Sequence, residues 1–259
     1  MRFHVLGLCT AGVLIASTLW AADDPLLGTW KLNPAKSQFT GQSIKFENVG
    51  SGMIRFSTAG LSYTFKMDGV ERPAIYGYTA SWKKVDDRHW EAANKLNGKL
   101  DNTDYFTLST DGKTLTDVTK GTRPDGVSFE DTTVYKRESG SGGLFGTWRS
   151  TEVKISAPSA VAYSASDGGA LTFMILDYKA SWTGQPDGSD HPFTGENLPK
   201  GLTLAFKRSG PRTLEFVTKI DGKPIYRGTN SVSSDGKTLT MRGRPVAVDE
   251  PYTAVYDRQ

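Results

Sequence analysis

Histidines, paired carboxylates and hydroxyls beside glycine are the residues of this chain whose types could do chemistry. His89 and His191 stand alone at non-equivalent places near turns and read as solvated surface groups. Asp86-Asp87 and Asp23-Asp24 cannot serve as an acid–base pair from one strand, because adjacent strand residues point to opposite faces. Ser109 and Ser233 each begin Ser-x-Asp-Gly-Lys-Thr, which a hairpin explains, with Ser and Asp bonding the turn backbone. Gly140-Ser141-Gly142-Gly143 precedes a strand, so it lacks the helix dipole of a phosphate loop. No His-x-x-x-His or Cys/His set offers a metal site. The chain is expected to be non-enzymatic, with no catalytic residue, no metal and no cofactor.

The aromatic residues offer binding chemistry instead. Tyr76, Tyr78 and Trp82 share one face if 74–82 is a strand, and Tyr178 and Trp182 share one within 172–182; Phe206 aligns with Trp82 in a repeat described below. Around a hollow lumen these six side chains would line an apolar pocket for a small lipophilic molecule. In a small closed barrel they would simply fill the core. Both readings are open from the residues alone.

Several features say what must position those aromatics. The first residues carry Arg2 and His4, then an apolar run from Val5 to about Leu19, then Ala21 and Ala22. That order matches a secretory leader, and the run is shorter than the roughly 20 apolar residues that span a bilayer. Cleavage is expected after Ala21, giving a periplasmic or extracellular protein without membrane insertion. The one cysteine, Cys9, falls in the leader, so neither disulfides nor thiolate sites can hold the mature fold. A formal net charge of +3 without a basic run excludes the electrostatic footprint of a nucleic-acid binder.

The remainder is a repeat. Gly28-Thr29-Trp30 recurs as Gly146-Thr147-Trp148, and 82–116 aligns without gaps on 206–240, including the block Asp111-Gly112-Lys113-Thr114-Leu115-Thr116 against Asp235 to Thr240. Val134-Tyr135-Lys136-Arg137 is matched by Val255-Tyr256-Asp257-Arg258. The organisation read from this is a leader over 1–21, a first β-barrel over 24–137, a Gly/Ser linker over 138–143 and a second β-barrel over 144–259. Asp-Gly or Asn-Gly at 68, 97, 111, 125, 187, 221 and 235 predicts tight antiparallel hairpins. The fold class expected is all-β, as two tandem antiparallel up-and-down barrels.

Leu27-Gly28-Thr29-Trp30-Lys31-Leu32-Asn33-Pro34-Ala35-Lys36-Ser37, with the matching opening at Trp148, resembles small secreted bacterial domains similar to the calycin superfamily of lipocalins and fatty-acid-binding proteins. The resemblance implies a Gly-x-Trp tryptophan at one barrel end with a late-strand arginine across it, pairing Trp30 with Arg137 and Trp148 with Arg258. Two departures weigh against fatty-acid binding. Residues 33–52 contain Pro34, Gly41, Gly50 and Gly52 and cannot form a two-helix lid, and Thr133 and Ala254 stand where an arginine would hold a ligand carboxylate. The expected function is therefore binding of a small hydrophobic ligand in a barrel lumen. Alternatives are a structural or interaction module with filled barrels, and a barrel-type enzyme that a buried ionisable group in the lumen would revive. Oligomeric state is not legible.

Overall fold

The computed structural model describes residues 24–259, so the leader over 1–21, with Cys9, lies outside the described residues. The chain is all-β, 61% strand and 5% helix, and forms two nearly closed ten-stranded antiparallel barrels. The first half contributes β1 (Gly28–Leu32), β2 (Ser43–Gly50), β3 (Met53–Thr58), β4 (Leu61–Phe65), β5 (Arg72–Pro73), β6 (Tyr78–Lys84), β7 (His89–Leu96), β8 (Lys99–Leu108), β9 (Thr114–Thr122) and β10 (Ser128–Ser139). The second half contributes β11 (Gly146–Lys154), β12 (Ala160–Ala165), β13 (Leu171–Ile175), β14 (Ala180–Gly184), β15 (His191–Pro192), β16 (Leu202–Gly210), β17 (Thr213–Ile220), β18 (Lys223–Val232), β19 (Thr238–Pro245) and β20 (Tyr252–Arg258).

Strand order corrects the expected domain organisation. The first barrel runs β4-β3-β2-β11-β10-β9-β8-β7-β6-β5, and the second runs β14-β13-β12-β1-β20-β19-β18-β17-β16-β15. Each half thus lends its opening strand to the other barrel. The expected linker residues explain why: Glu138 and Ser139 end β10, and the few residues before β11 turn the chain straight back on itself. So short a connection favours pairing of the strands it joins, and β11 is held beside β10. The second barrel's vacated position is filled by β1, which pairs with β12 and β20.

The exchange also reverses the arginine–tryptophan pairs. Arg258 lies over Trp30 at 4.0 Å and Arg137 over Trp148 at 3.9 Å, the opposite of the pairing that the resemblance implies. Both tryptophans are fully buried, and each indole N–H donates to the carbonyl four residues earlier, Leu26 at 3.0 Å and Leu144 at 2.9 Å. Arg137 donates to the carbonyls of Gly112, Gly143 and Phe145, and Arg258 to those of Gly236, Leu27 and Pro25. Each arginine therefore ties a Ser-x-Asp-Gly-Lys-Thr turn to a Gly-x-Trp strand. The turns themselves are as expected: Asp111 accepts from Ser109 at 2.6 Å and from Lys113 N–H at 3.0 Å, and Asp235 repeats this with Ser233 and Lys237.

Five Asx-Gly pairs join adjacent paired strands, at 97, 111, 125, 221 and 235. Asp68-Gly69 and Asp187-Gly188 instead cross the seam where each barrel closes, bridging to Lys83 and Lys207. The two long strands expected over 74–82 and 172–182 are broken by one-turn 3-10 segments, Ile75–Gly77 and Leu176–Tyr178. Tyr76 and Lys179 take φ of 56° and 47° there, left-handed conformations that an extended strand cannot contain. β13 and β14 consequently fold back as partners, with Phe173 opposite Trp182.

The barrels also touch through a polar cluster. Buried Arg123 donates to Ala157 O at 2.9 Å and approaches Asp125 and Asp177 at 3.2 and 3.5 Å, while Asp177 accepts the Ala160 N–H at 2.7 Å. This pins the segment where the chain crosses from β11 to β12. Among the described residues no helix is long and apolar enough to cross a membrane.

Candidate functional site

Period-two alternation decides what enters the first barrel's lumen. On β8 it turns Asn102, Asp104, Phe106 and Leu108 to one side, on β9 Leu115, Asp117 and Thr119, and on β7 Trp90, Ala92 and Asn94. Trp82 from β6 stacks between Phe65 at 4.4 Å and Phe106 at 5.3 Å, and its N–H donates to the Tyr63 hydroxyl at 2.9 Å. These side chains enclose a cavity of about 290 Å³ with aromatic walls (Phe56, Tyr63, Trp82, Phe106, Tyr135) and a polar side formed by Asn94, Asn102, Asp104, Asp117 and Thr119. Ala74, Ile75, Tyr76 and Tyr78, where the chain passes from the edge strand β5 to its neighbour β6, also border it. Tyr226 of the second barrel packs against Tyr76 there.

The polar side is an ordered network with one loose end. Asp104 accepts from Thr119 at 2.7 Å and from Asn94 at 2.8 Å, and Asn94 also donates to Asn102 at 2.8 Å. Asn102 and Tyr78 donate to Asp101 at 2.9 and 3.1 Å, and Asn197 of the second barrel donates to the same carboxylate. Asp117 differs: its Oδ1 is sealed from solvent and has no hydrogen-bond partner among the described residues. Asp104 faces Thr119 across the ladder and Asp117 faces Phe106, so the two carboxyls are diagonal neighbours on one barrel face.

Electrostatics follows from that placement. Burial pushes the Asp117 carboxyl well above the usual carboxylate range, and the negative charge of Asp104 adds to the shift. Burial also raises Asp104; its bonds from Thr119 and Asn94 pull the other way, and Asp101 pushes upward again. Desolvation likewise raises the phenols of Tyr63, Tyr76, Tyr78 and Tyr135, which stay protonated as neutral donors. Among the described residues no lysine, arginine or histidine lines the cavity. The lumen is therefore an acidic, aromatic space without an internal counter-cation.

At aligned positions the second barrel carries Gly228 for Asp104, Met241 for Asp117, Gly243 for Thr119 and Thr218 for Asn94. Neighbouring rings take up the room: a Cβ at Gly228 would stand 2.7 Å from Phe216, and one at Gly243 2.5 Å from the Tyr252 hydroxyl. Phe173, Trp182 and Phe206 pack there with Tyr163, whose hydroxyl accepts from Asn230 at 2.7 Å.

The six aromatics singled out from sequence divide accordingly. Tyr76, Tyr78 and Trp82 all border the first cavity. Trp182 and Phe206 are buried in the second core, while Tyr178 lies half-buried on a 3-10 turn. His89 is exposed and bonds Asp86 at 2.8 Å, Asp87 pairs with Lys84, and His191 sits edge-on to Trp182. The sequence reading missed Asp104, Asp117, Asn94, Asn102 and Thr119. The signal for them was a run of polar residues at inward positions of strands, three of which, Asp104, Asp117 and Thr119, have glycine or methionine as repeat partners. A wider depression on the outer face, bordered by Tyr105, Lys120, Phe129 and Glu130, is open to solvent and lacks such a buried group. Compared with known proteins, the chain matches no family model, no curated protein and no solved structure.

Proposed function

We propose that this chain is an exported binding protein, non-enzymatic and calycin-like, whose first barrel holds a small molecule in its lumen while the second barrel serves as a packed support. The observation that carries the reading is the contrast at aligned positions: the first lumen keeps a cavity of about 290 Å³ bordered by Asp104 and Asp117, where the second has Gly228 and Met241 with rings packed in. An apolar cavity with a few convergent polar groups is the usual form of a small-molecule site. The arginine-over-tryptophan closure in both barrels supports the calycin-like comparison, and the leader-like first residues support export.

Native mass spectrometry and thermal shift against a panel of small lipophiles test the reading, with Ala74→Trp as the blocked form because Ala74 borders the cavity. Ligands should add mass to and stabilise the wild type but not the blocked variant. Identical behaviour of the two proteins toward every compound would sink it. The same carboxyl pair supports a second reading. Two neighbouring acids that are both pushed upward can share a proton and act as acid and base, and turnover lost in Asp104→Asn with binding retained would favour it.

A further inference from the structure

We infer that the ligand of the first barrel is a protonated amine, an ammonium group on a small apolar body, seated with its nitrogen at Asp117 and its body against Trp82, Phe106 and Tyr135. The inference rests on the binding function proposed above and names the chemical class that this lumen selects. Asp117 is the starting point. Asp117 lines the cavity half-buried, with its Oδ1 sealed and without a partner among the described residues, whereas both oxygens of neighbouring Asp104 are already engaged by Thr119 and Asn94. A carboxylate partly withdrawn from water without a counter-charge is disfavoured, and among the described residues no basic side chain borders the cavity to supply one. A cation brought by the ligand would.

The walls fit the same occupant. Aromatic faces attract an organic cation through their quadrupoles, and Trp82, Phe56, Tyr63, Phe106 and Tyr135 line the same cavity as the carboxyls. The cavity, about 290 Å³, lies at the small end of ligand sites, which favours a one-ring or short-chain amine. Fatty acids are excluded by like charge, in keeping with Thr133 where a carboxylate-holding arginine would stand. The second barrel is the internal control: with Gly228 and Met241 for Asp104 and Asp117, it offers an ammonium group no carboxylate at these positions.

The groups facing Asp117 set the pH dependence. They are Asp104 from β8 and Tyr135 from β10, with Tyr63, Tyr76 and Tyr78 on the cavity wall and Asp101 beside Asp104, all acids. Affinity for an amine should rise with pH as the carboxyl pair ionises and fall above about pH 10, where an alkylamine gives up its own proton.

Calorimetric titration of the full mature chain with 2-phenylethylamine and cyclohexylmethylamine tests this against 2-phenylethanol, cyclohexylmethanol and 3-phenylpropionate, at about pH 8. The amines should bind, the alcohols at least about tenfold more weakly, given the worth of a charge-assisted hydrogen bond, and the acid not measurably. Asp117→Asn should lose at least about tenfold of amine affinity while leaving the alcohols unchanged. If that variant fails to fold, the wild type decides alone, through amine affinity that drops on acidification while alcohol affinity does not. Alcohols binding as tightly as amines, with Asp117→Asn indifferent, would overturn the amine inference and leave the binding function standing. Absence of heat and of any thermal shift with all five compounds would overturn both.

Discussion

The two barrels share strand order, an arginine laid over a tryptophan and the same Ser-x-Asp-Gly-Lys-Thr turn, yet one encloses carboxyls around a cavity and the other encloses rings. The common features all lie at the end where the Gly-x-Trp strand meets the turn, and they bind backbone carbonyls through Arg137 and Arg258. The differences lie along β7, β8 and β9 and their counterparts β17, β18 and β19. What this teaches is that the closure holding a barrel together is indifferent to what fills it, so one copy carries carboxyls where the other carries glycine and methionine. Filling the second core cost the backbone little, because Gly228 and Gly243 make room for Phe216 and Tyr252.

The largest test of the shared half of this comparison is Trp30→Ala against Trp148→Ala. Both indoles are fully buried, bonded to a carbonyl and capped by arginine, so each substitution should destabilise the chain by about 3–5 kcal/mol in chemical denaturation. A large inequality would break the equivalence of the two ends. Because of the strand exchange, Trp30→Ala should loosen amide-exchange protection first in the barrel built from β12 to β20, although Trp30 belongs to the first half.

The differing half is tested by Asp117→Met, which writes the second barrel's residue into the first. It removes a half-buried carboxyl whose Oδ1 is sealed without a partner among the described residues and should stabilise the protein by up to about 1 kcal/mol at neutral pH, part of the desolvation cost of such a group, while abolishing amine binding. Destabilisation would show that the carboxyl has a structural partner.

The smallest effect is in the pH profile. A carboxyl whose folded pKa lies above its unfolded value binds more protons in the folded state between the two, so its contribution to stability is present below the unfolded pKa and is lost as pH rises through the folded one. Burial and Asp104 raise Asp117. Exposed carboxylates such as Asp111 and Asp235 are lowered by bonds from Ser109 and Ser233 and slope the other way, so the informative quantity is a difference. The stability gained by Asp117→Asn over wild type should grow as pH rises from about 4 toward neutrality; a difference flat with pH would mean that the carboxyl is not perturbed.

Much of the fold was legible because it is local. Asp-Gly and Asn-Gly turns state where the chain reverses, alternation states which residues share a face, and the recurrence of Trp30 at Trp148 and Arg137 at Arg258 states that the pattern occurs twice. Tyr76, Tyr78 and Trp82 were found as a group for the same reason, although the turn at Ile75–Gly77 takes Tyr76 off the strand that carries Tyr78 and Trp82. Asp104 and Asp117 escaped because each looks like an ordinary strand aspartate until the inward face is known.

By itself the sequence determined the strands, their hairpins and the duplicated closure of turn, arginine and tryptophan, since these depend on backbone preferences over a few residues. Tertiary structure alone decided which tryptophan each arginine covers and what fills the space beside aligned positions of the two lumens. The first depends on β10 and β11 being joined too closely to part, which sends β1 across to β20. The second depends on whether distant rings such as Phe216 and Tyr252 reach the space beside a glycine, a matter of packing across strands that no local pattern records.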